Sequence, residues 1–69
     1  MSISYKKLWK LLIDKDMNKT QLREQADIAT STLAKLSKDE QVSMDVLLRI
    51  CKILNCSLDD IVEIKKENA

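Results

Sequence analysis

The 69-residue chain has no glycine, proline, histidine or phenylalanine, and its only aromatic residues are Tyr5 and Trp9. Each absence closes a route. A glycine-rich phosphate loop is excluded, and so are flexible Gly/Ser or proline-rich linkers. Tight two-residue hairpins favour Asn-Gly or Gly-containing turns, and parallel strands need long crossovers, so a β-rich fold does not fit this length. Without histidine there is no nucleophile–base pair, and catalysis is not expected. Cys51 and Cys56 stand five positions apart, which is neither a redox CxxC nor half of a zinc site. No metal or cofactor is therefore expected, and the thiols read as small buried hydrophobes of a reducing compartment. No apolar run approaches the roughly 18–20 residues of a membrane span, and no basic-then-apolar secretory pattern opens the chain. A cytoplasmic protein without a membrane partner is expected.

What is present is aliphatic and charged: 45% of the residues are apolar and 33% are Asp, Glu, Lys or Arg. This composition fits one compact all-α domain over residues 1–69. A core of this size contributes only about 3–5 kcal/mol, a first argument for a homodimer. The net charge is +1, but it is unevenly spread. Residues 1–38 carry eight basic against four acidic side chains, whereas residues 39–69 carry four against seven. A near-neutral chain can therefore present one positive face.

Periodicity and capping signals mark four or five short helices. Tyr5, Leu8, Trp9 and Leu12 share one face of a first helix over about 4–15. Asn18 is an N-cap, and Gln21 three residues later completes a capping box for a second helix over about 19–26. Ala26-Asp27-Ile28 reads as a tight turn. A third helix follows over about 30–37, with Ala29, Leu33 and Leu36 on its apolar side. Asp39-Glu40-Gln41 is a polar loop. Ser43 caps a fourth helix over about 44–54, where eight of eleven positions are apolar, so it is expected to be buried on several sides. Asn55 stops it, and Ser57 with Asp60 opens a short fifth helix through about Val62. The segments Ile3-Ser4-Tyr5 and Val62–Lys65 could also pair as short strands, within or between chains. Tyr5, Val46 and Ile53 are candidates for a dimer seam. Trp9 is expected in the core or at that seam, and Lys6, Lys7 and Lys10 on a solvated face.

The middle two helices, spanning about 18–37, have the spacing of a helix-turn-helix. On a helical wheel Ser31, Lys35 and Lys38 fall opposite the apolar side of the third helix. Short hydroxyls beside lysines suit a major groove, although the same residues also make an ordinary solvated surface.

From Leu8 to about Ile64 the chain resembles the Cro/CI-type (lambda-repressor-like, XRE-type) helix-turn-helix family, in particular its small stand-alone members. The residues that carry the likeness are Met17-Asn18-Lys19-Thr20-Gln21-Leu22, the turn Ala26-Asp27-Ile28, and Ser31-Thr32-Leu33-Ala34-Lys35-Leu36. Val42-Ser43, Leu47-Leu48, Ile50-Cys51, Leu54 and Asp59-Asp60-Ile61 continue it. The resemblance implies a five-helix all-α domain whose third helix lies in the major groove. It implies a transcriptional regulator, typically a repressor binding a palindromic operator in double-stranded DNA as a homodimer. Base contacts would fall on Thr30, Ser31 and Lys35, with Thr32 serving base or phosphate. Asn18, Lys19, Gln21 and Lys38 would contact phosphates. There is no room for a ligand-sensing domain, so no small-molecule ligand is expected.

Three departures stand out. Asp27 and Asp39 occupy positions where the family usually has glycine, and Arg23 replaces a small alanine between the two helices. Two other readings follow: a protein-interaction module such as an antitoxin-like subunit, or a helix-turn-helix that no longer binds DNA.

Overall fold

The computed structural model describes residues 2–65. A strand β1 (Ser2–Ser4) leads into α1 (Lys6–Asp14), α2 (Lys19–Ala26), α3 (Thr30–Ser37) and α4 (Met44–Leu54). One turn of 3₁₀ helix (Leu58–Asp60) and a strand β2 (Glu63–Lys65) complete it. The all-α architecture stands, with four α-helices among the described residues in place of five. None of the helices among the described residues is long and apolar enough to cross a membrane.

The helix boundaries follow local chemistry. Each α-helix ends one or two residues before a left-handed position: Asp16, Asp27, Asp39 and Asn55 have φ of 56, 54, 56 and 52°. At each end an N–H just beyond reaches back across the last turn. Met17 donates to the Leu12 carbonyl at 2.9 Å, Ile28 to Arg23 at 3.1 Å, Glu40 to Lys35 at 2.9 Å, and Cys56 to Cys51 at 3.0 Å. This is the Schellman closure, normally built on glycine. Asp and Asn are the side-chain-bearing residues that enter this region most readily, so a glycine-free chain makes all four stops with them.

The first helix is shorter than its periodicity predicts. Ser4 is drawn into β1, Tyr5 becomes the N-cap, and Lys15 lies beyond the last helical residue. The fifth helix is reduced to its first turn. Ser57 and Asp60 form the expected capping box, Asp60 Oδ2 accepting from the Ser57 N–H at 3.0 Å and its hydroxyl at 3.1 Å. These bonds hold the Asp60 carboxyl below its ordinary range, chiefly through the Ser57 backbone. Ile61, with φ −123°, then leaves the helix, because β-branched Ile61 and Val62 feed the extended β2. β1 and β2 pair antiparallel within the chain, Ser2 with Lys65, Ile3 with Ile64 and Ser4 with Glu63. The predicted tail position Lys66 lies outside the described residues.

The core comprises Tyr5, Leu8, Leu12, Leu22, Ala26, Ile28, Leu36, Leu47, Ile50, Cys51, Leu54 and Ile61. α4 packs against α2 and the 3₁₀ turn, which makes it the spine on which the α2–α3 pair rests. It buries only one face. Leu47, Ile50, Cys51 and Leu54 point inward, while Met44 and Leu48 remain 56% and 54% exposed. Two assignments on the apolar side of α3 also change. Leu36 is buried and Leu33 half-buried, but Ala29 is exposed because it serves as the N-cap. Tyr5 is fully buried and so cannot form a dimer seam.

Candidate nucleic-acid interface

The start of α2 is organised by the predicted capping box. Asn18 Oδ1 accepts from the Gln21 N–H at 2.7 Å, and Gln21 Oε1 accepts from the Asn18 N–H at 2.9 Å. Both amide oxygens are thereby committed to the backbone. The side-chain NH₂ groups of both residues carry the remaining donors, which is the polarity a phosphate requires. Lys19 follows them. Its ammonium lies 4.2 Å from the centroid of the Trp9 ring and donates to Ser37 Oγ at 3.3 Å. Trp9 is half-buried and packs against the core. It acts as a platform that holds the Lys19 charge between the first turn of α2 and the last turn of α3, a cation–π contact of about 0.5–1 kcal/mol at an exposed site.

The start of α3 has the opposite character. Its N-cap, Ala29, has no side chain to satisfy the first backbone N–H groups. The positive end of the helix is therefore left open, beside the exposed hydroxyls of Thr30 and Ser31. Lys35 is exposed one turn further on, and Lys38 sits just past the helix, also exposed. Thr32 is half-buried, and its N–H donates to the Ala29 carbonyl at 3.0 Å.

The fold brings the predicted contacts into two groups. Thr30, Ser31, Thr32 and Lys35 follow one another along α3, whereas Asn18, Lys19 and Gln21 sit at the head of α2. The Lys19–Ser37 hydrogen bond joins the head of α2 to the tail of α3, near Lys38. Among the described residues no group of three or more His, Cys, Asp or Glu is placed to hold a metal ion.

Arg49 and Tyr5 secure this arrangement at either end of α3. Arg49 Nη1 donates to the Asp27 carbonyl at 2.9 Å, tying the α2–α3 turn to α4, while its Nε pairs with Asp45 Oδ2 at 3.1 Å. The exposed ion pair contributes little by itself, but it orients the guanidinium. The i, i+4 spacing of Asp45 and Arg49 is visible in the sequence, whereas the carbonyl target is not. Tyr5 secures the other end of α3. Its N–H donates to Asp39 Oδ1 at 3.0 Å and its hydroxyl to the Glu40 carbonyl at 2.7 Å. Burial pushes the Tyr5 hydroxyl above its ordinary range; the Val42 backbone opposes this and the Asp39 charge adds to it. The Asp39 carboxylate is thus engaged with the domain and does not stand free beside α3. Arg23 is half-buried, so only part of it faces outward.

Comparison with known proteins matches this geometry. Residues 7–67 match the family model of the Cro/C1-type HTH DNA-binding domain. The crystal structure of the transcriptional regulator VanUg is similar at 56% identity and a TM-score of 0.93, covering 96% of this chain and 88% of that one. No curated protein matches. The matched segment takes in α2, α3, the turn between them and the α4 spine, and on that match the chain belongs to the Cro/C1-type helix-turn-helix family of DNA-binding domains.

Proposed function

We propose that this chain, by its family a sequence-specific DNA-binding transcriptional regulator and not an enzyme, represses transcription by binding a short palindromic operator as a homodimer. The observation that carries the reading is the exposed face of α3, with its uncapped N-terminus, Thr30, Ser31 and Lys35. In this reading α3 enters the major groove. Thr30, Ser31 and Lys35 reach base edges, and half-buried Thr32 contributes less. Asn18, Lys19, Gln21 and Lys38 hold phosphates through amide, ammonium and backbone N–H donors. Two copies would occupy successive half-sites about 34 Å apart and exclude other proteins from the DNA between them. The site of action is the cytoplasm, with the DNA.

Exposed apolar side chains support the homodimer. Met44 and the 65%-exposed Ile64 line a groove with Ile3, Leu58 and Val62, to which neither α2 nor α3 contributes. Lys7, Asp59 and Glu63 also line it, so the surface carries both signs of charge and can complement a second copy of itself.

A salt series on the full chain with a selected operator tests the reading. Affinity should fall steeply with log salt, because several cations displace counterions from the phosphates. Lys35→Ala should relax base preference, whereas Lys38→Ala should weaken all sequences alike and flatten the salt slope by about one. If both variants bind every DNA like the wild type, the assigned face is wrong, and a protein-interaction role for this surface takes its place.

A further inference from the structure

The closure that ends α4 brings together the chain's two cysteines. Asn55 takes φ 52° and ψ 54°, and the Cys56 N–H donates to the Cys51 carbonyl at 3.0 Å. In this closure the chain reverses, so the second residue past the helix folds back on the one that accepts its N–H, and their side chains usually make an apolar contact. Here both side chains are thiols. Cys51 is buried in the core, Cys56 is half-buried at the surface, and both are free. Burial pushes the Cys56 thiol up, and so do the charge and hydrogen bond of Cys51 and the charge of Asp60, with Lys15 opposing. The effect of Cys51 on Cys56 accords with the chain reversal that this closure imposes. No role of this pair follows from DNA binding.

We propose that Cys51 and Cys56 form a reversible intramolecular disulfide site whose oxidant is a low-molecular-weight disulfide. Cys56 is the sulfur that solvent reaches. Its thiolate attacks one sulfur of the small disulfide, forming a mixed disulfide as the original S–S bond breaks and one small thiolate leaves with the electron pair. The Cys51 thiolate then attacks the Cys56 sulfur, and the second small thiolate departs. The two protein protons end on the two departing thiolates. In net terms, one protein dithiol is oxidised and one small disulfide is reduced to two thiols. The left-handed turn supplies the close approach that a disulfide's short Cα and Cβ separations require. The raised thiol slows the first attack near neutral pH, so the site is read at equilibrium and not by its rate.

The test equilibrates the full chain with reduced and oxidised glutathione at graded ratios, under native conditions and in denaturing urea. Samples are acid-quenched, alkylated and weighed. The expected product is a monomer lighter by two hydrogens and closed to alkylation, with a pairing constant at least about tenfold higher in the folded chain than in urea. A folded chain that yields only glutathione adducts or interchain dimers overturns the proposal, and so does equal pairing in urea. In Cys51→Ser the reaction should stop at a glutathione adduct on Cys56. Absence of that adduct overturns the assigned order of attack.

Discussion

Asp27 in the α2–α3 turn and Asp39 past the end of α3 adopt nearly the same backbone, with φ of 54 and 56°. Both stand where a glycine would be least strained, yet their side chains have different uses. The Asp27 carboxylate is exposed, and the turn is held through the backbone carbonyl by Arg49. The Asp39 carboxylate instead accepts the N–H of fully buried Tyr5, whose own hydroxyl closes on Glu40. At one end of α3 an aspartate is tolerated, and at the other it is used. A rule that reads both as missing glycines therefore misses half of what position 39 does.

Substitutions at these ends should separate the two roles. Asp39→Ala is expected to have the largest effect, about 1.5–3 kcal/mol of destabilisation in chemical denaturation. It leaves the Tyr5 N–H unpaired and keeps the left-handed strain. Asp39→Gly should recover about 1 kcal/mol of that loss by relieving the strain alone, while remaining below wild type. An Asp39→Gly chain more stable than wild type would mean that the Tyr5 bond contributes nothing.

Tyr5→Phe should cost about 1 kcal/mol through the Glu40 carbonyl. It also has a pH signature. The Tyr5 hydroxyl is raised in the folded state, so its contribution is complete below the ordinary tyrosine value near pH 10 and is lost as pH rises through the folded value. The decline in stability above about pH 10 should be shallower in Tyr5→Phe than in wild type, as measured by urea titrations across that range.

Arg49→Met keeps most of the stem and removes the bond to the Asp27 carbonyl. A loss of about 0.5–1 kcal/mol is expected for this exposed contact. Unchanged stability would show that the turn holds itself. The smallest effect is expected from Asp27→Gly, a gain of a few tenths to about 1 kcal/mol, because strain is relieved and no side-chain bond is lost. A lower melting temperature would overturn the distinction between the two aspartates.

The boundaries of α2, α3 and α4 were legible because their signals are local. Asn18 with Gln21 and Ser43 with the Val46 N–H are contacts over three residues, and an apolar stripe needs no distant partner to be recognised. The outer side of α3, with exposed Ser31, Lys35 and Lys38, was legible for the same reason: a periodic helix has a calculable outer face. Two features near the ends of the chain were harder. The first-helix pattern ran on into Ser4, because periodicity cannot register that Ser4 pairs with Glu63 at the far end of the chain. The Ser57–Asp60 box announced a helix but could not show that Ile61 would turn away into β2.

The sequence by itself determined where α2, α3 and α4 begin and end, with Asp27, Asp39 and Asn55 at or just past their ends. Those outcomes depend on hydrogen bonds and sterics within a few residues. Only the tertiary structure decided that Tyr5 belongs to the core, that Asp39 reaches across thirty-four positions to hold it, and that Trp9 carries Lys19. These contacts require distant segments to be brought side by side by burial of the shared aliphatic core. No local preference encodes which distant group will be waiting there.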